Sequence, residues 1–239
     1  MSIQKPWYET AWGQATDLQF IPEWGFVEER TKEIIERAHL KPGMIVLDMA
    51  CGSGAETTLL AVKGYKMTGV DFSPAMIDIA KRIASEKMAE VEWSVGDMRK
   101  LDENEQYDLV MIRDVIFGVF DHRTNLDVLK RLFKAVKKGG YLLLEIYNKE
   151  AALERKNVEG FLTYNSINNR FEGSFEKKTI NGNIFTDFAS NEFFTIQEWR
   201  TMFSDLGLED IQFYPSTSAK MRGLDYNRSL VIDVAGKRI

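Results

Sequence analysis

The chain has 239 residues, 44% of them hydrophobic and 28% charged, with a formal net charge of −5. That length suits one domain, or one with a modest insertion, and the composition supports a packed core while disfavouring disorder and repeats. The acidic balance argues against a broad phosphate-binding face, so no nucleic-acid partner is expected; the basic run around Lys130, Arg131, Lys134, Lys137 and Lys138 reads as the solvated side of a helix.

The single cysteine, Cys51, excludes an internal disulfide and suits a reducing compartment. The leading MSIQKPWYETAW has no apolar core of signal-peptide length, and no window approaches the roughly 20 apolar residues that span a bilayer. A cytoplasmic chain with no membrane partner is the expectation.

Residues 1–25 are rich in aromatics (Trp7, Tyr8, Trp12, Phe20, Trp24) without a clean period. Residues 26–38 read as a helix, with Phe26, Val27, Ile34 and Ile35 on one side among Glu, Lys and Arg, stopped by Lys41-Pro42-Gly43. Strands and helices then alternate. Residues 44–48 form a short apolar strand of the kind buried on both faces of a parallel sheet, and 54–62 a helix with Gly64 just beyond it. Residues 65–71 are a second strand, and Ser73-Pro74 opens a helix over 74–88. Strands follow at 91–95 and 108–112, then a helix over 123–138 that Gly139-Gly140 turns into the apolar strand 141–147.

This alternation predicts an α/β fold: a doubly wound, seven-stranded, mostly parallel sheet. Such sheets bind ligands outside the carboxyl ends of their strands, so the segments after Asp48, Val70, Val95 and Ile112 should converge on one cleft. Residues 160–194 break the pattern, with Asn181-Gly182 between two β-rich runs, and predict an inserted antiparallel ribbon lying over the cleft. Thr195-x-x-Glu198 is a capping box opening a helix to Leu206, and 208–214 and 230–234 complete the sheet as an antiparallel pair.

Val46-Leu47-Asp48-Met49-Ala50-Cys51-Gly52-Ser53-Gly54 runs straight from the first strand into a helix, and its glycines let a ligand approach the backbone. A dinucleotide fingerprint would need a third glycine where Thr57 stands. It would also bring a pyrophosphate to the helix start, where Asp48 would repel it. S-adenosylmethionine carries an ammonium and a sulfonium and no phosphate, so the acid selects it, directly or through water. Asp71 closes the second strand, where a carboxylate accepts from a ribose diol. Phe72 and Met76 are placed to pack an adenine face, although Met76 equally suits the inner face of its helix. Gly96-Asp97-Met98 after the third strand offers a carboxylate for the adenine amine and a side chain to cover the ring.

Together VLDMACGSGAE, TGVDFSPAM, VGDM, and LVMIRDVIF followed by LKRLFKAVKKGGYLLLE resemble the class I S-adenosylmethionine-dependent methyltransferases over about residues 40–147. The resemblance implies a Rossmann-like methyltransferase domain over 26–239, with residues 1–25 as an aromatic lid. It implies that Asp48, Ala50, Cys51, Gly52 and Gly54 hold the methionyl moiety, Asp71 the ribose, and Asp97 and Met98 the adenine, with Arg113 near the methionine moiety. Ala50 departs mildly from the commoner glycine. The acceptor is expected to be a small molecule methylated on nitrogen or oxygen, with Tyr8, Trp12, Asp114, Phe117 and His122 as candidate acceptor-binding residues. His122 equally reads as a surface residue entering the next helix, and Tyr8 and Trp12 as rings covering the sheet edge. No Cys/His cluster suggests a metal site. A silent S-adenosylmethionine-binding module is the alternative, and a nicotinamide oxidoreductase the weaker one.

Overall fold

The computed structural model describes residues 22–178, 184–221, 223 and 225–239. The short apolar runs become β1 (Ile45–Met49), β2 (Lys66–Asp71), β3 (Val91–Val95) and β4 (Tyr107–Ile112), all parallel, with β5 (Val136–Tyr147) parallel to β4. The insertion forms a separate antiparallel sheet of three strands: β6 (Thr163–Asn165), β7 (Arg170–Lys178) and β8 (Ile184–Asn191). The Asn181-Gly182 turn lies outside the described residues. β9 (Leu208–Pro215) and β10 (Val231–Arg238) then close the main sheet, whose order is β3-β2-β1-β4-β5-β10-β9.

The helices are α1 (Trp24–Arg37), α2 (Ala55–Val62), α3 (Pro74–Glu86), α4 (His122–Ala135), the short α5 (Lys149–Leu153), α6 (Ile196–Asp205) and the short α7 (Thr217–Met221). Local chemistry starts several of them. Ser73 caps α3 with Pro74 behind it, Asp121 caps α4, and Thr195 and Glu198 form the expected capping box of α6. The helix expected over 123–138 ends at Ala135, and the strand begins at Val136 with a register shift opposite Asp108. There Gly140 passes so close that a Cβ would stand 2.8 Å from the Asp108 carbonyl oxygen, which only glycine permits.

The two-residue period of the strands divides the core. Leu47, Val110, Ile112, Leu144 and Val234 face α4 and α6, packing on Leu129, Leu132, Trp199 and Phe203. Val46, Leu109, Met111 and Leu143 face the other way, onto Ile34 of α1 and Leu60 of α2. Full burial of each such side chain contributes about 1.5–3 kcal/mol.

The α1 side of the sheet also carries charge. Asp48, Glu145 and Asp233 share its parity, and α1 lowers Arg30, Glu33 and Arg37 onto it, every one of these six side chains being buried. Arg30 binds Glu56 at 2.5 Å, Asp114 at 2.8 Å and Glu145 at 3.2 Å. Arg113, from the end of β4, reaches Glu145 at 3.3 Å and Asp233 at 2.6 Å, while Arg37 pairs with Asp233 and Glu33. Thr217 of α7 donates to Glu33 at 2.6 Å, which fixes that short helix. Burial pushes the Glu145 carboxyl up, but Arg113 and Arg30 outweigh it and hold the group below its ordinary range.

At the other edge of the sheet, the indole of Trp93 lies across Gly69 and Gly54, where a Cβ on either glycine would come within 2.3 Å of the ring. Gly69→Ala should therefore destabilise the fold by about 1–3 kcal/mol through overpacking; an unchanged thermal midpoint would show that the ring moves aside at no cost. Arg113→Met, which leaves Glu145 and Asp233 short of a partner, should cost about 3–5 kcal/mol in urea unfolding. A loss below ~1 kcal/mol would mean that Arg30 and Arg37 neutralise those acids without it.

Candidate active site

The carboxyl ends of β1, β2, β3 and β4 surround a cavity of about 530 Å³, a size suited to a small-molecule ligand. The turn after β1 supplies Ala50, Cys51, Gly52 and Ser53, and the first turn of α2 adds Glu56. Asp71 and Phe72 come from the end of β2, Met76 from α3, and Gly96, Asp97 and Met98 from the segment after β3. Asp114, Ile116, Val119 and Phe120 come from the loop after β4.

Asp71 organises the floor. Its Oδ2 accepts from the Gly52 N–H and its Oδ1 from the Ser73 N–H, both at 2.9 Å, so one carboxylate ties the β1 turn to the β2 turn. Burial raises its carboxyl above the ordinary range, against the opposing pull of those N–H groups. Gly52 has φ +53°, and among the described residues nothing stands within 4 Å of where its Cβ would be. That leaves its backbone open to close approach.

Asp48 does not line this cavity. It lies behind the glycine turn, 2% exposed, with Thr57 Oγ1 donating to its Oδ2 and its Oδ1 without a partner among the described residues. Burial pushes its carboxyl up to about 8, with the Thr57 hydrogen bond opposing. Thr57, which stands where a dinucleotide motif would have glycine, thus has a partner inside the fold. A cationic ligand above the turn, as the sulfonium and ammonium of S-adenosylmethionine would be, would favour the ionised form of this buried carboxyl.

The apolar wall of Phe72, Met76, Met98, Ile116, Val119 and Phe120 suits a flat ring, and Asp71 offers oxygens to a diol. Asp97 is also on the wall, but its carboxylate is held by Arg99, whose Nε donates to Oδ2 at 2.9 Å and whose Nη2 donates to the same oxygen at 2.7 Å. Burial raises the Asp97 carboxyl, and the Arg99 guanidinium and N–H outweigh it and hold the group below its ordinary range.

Several expected site residues lie elsewhere. Gly54 caps α2 at φ +68° and faces the Trp93 ring, so its lack of a side chain serves packing. Arg113, expected beside the methionine moiety, is 3% exposed and bound to Glu145 and Asp233. Phe117 is a core residue against Trp199 and Phe194, at ring-centroid distances of 5.2 and 6.2 Å. His122 opens α4 with a mostly exposed side chain whose Nδ1 lies 2.8 Å from Glu192 Oε1, away from the cavity. Tyr8 and Trp12 lie outside the described residues. Of the acceptor candidates among the described residues, Asp114 alone stands at the cavity.

The ribbon was expected to lie over the cleft, yet none of β6, β7 or β8 lines it. It braces the wall from behind. Arg170 donates to the carbonyls of Phe120 at 2.9 Å, Gly118 at 3.2 Å and Ser190 at 2.7 Å. Glu56, Arg99, Lys100, Val119 and Phe120 are cavity residues that sequence reasoning missed. Glu56 carried a signal, an acid in the first turn directly after the glycine turn; Val119 and Phe120 carried none, because the loop that places them is held by tertiary contacts.

Among the described residues there is no group of three or more His, Cys, Asp or Glu side chains set to hold a metal, and no helix is long and apolar enough to cross a membrane.

Residues 46–140 match the family model of a methyltransferase domain. Phosphoethanolamine N-methyltransferase 1 of Zea mays is 35% identical over 138 residues, which is 57% of this chain and 26% of that protein. A ubiquinone biosynthesis O-methyltransferase of Coxiella burnetii is 31% identical over 121 residues, 50% of each. The chain thus spans from about a quarter to half of the length of these curated relatives. Among solved structures, the CcbJ methyltransferase from Streptomyces caelestis superposes with a TM-score of 0.72 at 16% identity, covering 98% of this chain and 96% of that one. An S-adenosylmethionine-dependent methyltransferase from Clostridium acetobutylicum gives 0.68 at 17% identity, covering 91% and 92%. At such identity the likeness is one of fold, while the match to residues 46–140 is one of sequence. By sequence, residues 46–140 are similar to a methyltransferase domain, and by strand order the chain has the fold of the class I S-adenosylmethionine-dependent methyltransferases.

Proposed function

We propose that the chain transfers a methyl group from S-adenosylmethionine to a nitrogen or oxygen of a small-molecule acceptor. The observation that carries the proposal is Asp71, a cavity-lining carboxylate that joins the two loops meeting at the carboxyl ends of β1 and β2. In this assignment Asp71 holds the ribose, and Phe72, Met76 and Met98 enclose the adenine with Asp97 at its amine. Ala50, Cys51 and Gly52 present backbone to the methionyl moiety above the buried Asp48.

Bound there, the cofactor supplies a methyl group already activated by its sulfonium. The chain then has mainly to align and to exclude water, and proximity and orientation can account for about 7–11 kcal/mol of barrier lowering. Glu56 and Asp114 sit on the α1 side of the cavity, where acids favour the cationic end of the ligand. The relatives' names include both N- and O-methyltransferases, which supports a small-molecule acceptor while leaving the acceptor atom as either.

S-Adenosylhomocysteine should raise the melting temperature of the protein, and NAD and NADP should not; the opposite ranking would sink the assignment. Asp71→Ala should weaken S-adenosylhomocysteine binding at least tenfold by calorimetry, and near-normal affinity in a folded variant would show that the ribose sits elsewhere.

A further inference from the structure

A second cavity, of about 480 Å³, adjoins the first and shares Asp114 with it. Its walls include Phe26 and Arg30 of α1, Glu145 and Tyr147 of β5, Arg155 and Glu159. Resting on the assignment of the first cavity to S-adenosylmethionine, we propose that the second is the acceptor site and that it selects a small cationic amine held at Asp114.

The charge bookkeeping of the buried network points there. Around α1 and the sheet, five carboxylates (Glu33, Glu56, Asp114, Glu145, Asp233) meet four cations (Arg30, Arg37, Arg113, Lys220). The acids other than Asp114 are all shielded, whereas the Asp114 side chain is 72% exposed. The excess negative charge therefore surfaces at the junction of the two cavities.

The backbone holds that carboxylate in place. Asp114 and Val115 both adopt left-handed conformations, at φ +58° and +51°, which is costly for a β-branched residue and persists only where its surroundings impose it. The Asp114 N–H donates to Glu145 Oε2 at 2.7 Å, and Oδ1 accepts from Arg30 at 2.8 Å. Oδ2 is left without a partner among the described residues.

Among the described residues, the cations on this wall are Arg30 and Arg155, set against the acids Asp114, Glu145 and Glu159. Three carboxylates surround Arg30, and the Arg155 guanidinium donates to the Ala151 carbonyl. Glu159, an exposed acid hydrogen-bonded to Tyr147, adds a second negative group to the rim. Three acids against two guanidiniums leave this wall net negative, so an ammonium would be attracted to it. The Asp114 carboxylate can then take one proton from the ammonium, so that R–NH3⁺ and carboxylate become R–NH2 and carboxylic acid and the nitrogen lone pair is freed.

The test uses the full chain and a bacterial metabolite extract split on a cation exchanger. In the presence of S-adenosylhomocysteine, the retained, cationic fraction should raise the melting temperature further, and with methyl-labelled S-adenosylmethionine the same fraction should yield labelled product. The flow-through should do neither. Asp114→Asn, which keeps an oxygen for Arg30, should weaken both responses at least tenfold when measured on protein saturated with S-adenosylhomocysteine. Glu159→Gln, on the exposed rim, should weaken them a few-fold. A response to the flow-through alone, an undiminished response in folded Asp114→Asn, or no response to either fraction by protein that binds S-adenosylhomocysteine would each overturn the proposal. Failure to bind S-adenosylhomocysteine would instead overturn the cofactor assignment.

Discussion

Glu145 is held between two arginines, Arg30 from α1 and Arg113 from the end of β4, and much of the molecule is arranged around that contact. Moving a carboxylate out of water costs several kcal/mol, and the cost is recovered only when partners surround it with good geometry. Once Glu145 is buried on β5, a cation must come from α1 and another from β4. Arg113 then requires Asp233, and Asp233 draws in Arg37. Helix, parallel strands and the antiparallel β10 become one charged layer beneath α1. Its edge carries Glu56 and Asp114 into the cavities, so the network that fastens the fold also sets the sign of the field at the site.

The network also explains how α1 and Arg113 departed from expectation. Apolar spacing marked residues 26–38 as a helix, yet its buried face holds Arg30, Glu33 and Arg37 as well as Val27 and Ile34. Charged residues on a helix ordinarily face water. These are buried because groups from distant segments meet them, the acids Glu56, Asp114, Glu145 and Asp233 among them, and no local pattern records such a meeting. Arg113 stood at the right end of the right strand for a ligand contact, but two buried carboxylates hold it.

The glycine turn divides in a similar way. Gly52 opens backbone to the cavity, whereas Gly54 and Gly69 make room for the Trp93 indole from the neighbouring strand. In sequence Gly52 and Gly54 belong to one motif. Their different duties come from the strand that packs beside them.

What the sequence determined by itself was whatever rests on local chemistry and period. The parallel strands read from short apolar runs and the caps of α3 and α6 from Ser73-Pro74 and Thr195-x-x-Glu198, because each depends on residues within a few positions of one another; Asp71 and the Gly52 turn were legible because each ends such a strand. The tertiary structure alone decided which polar groups face ligand and which face each other. It withdrew Arg113, Phe117 and His122 from the cavity, placed Asp48 beneath it instead of in its wall, brought in Val119 and Phe120 through a loop braced by Arg170, and joined a second cavity at Asp114. Burial and long-range pairing set those outcomes, and both are properties of segments far apart in the chain.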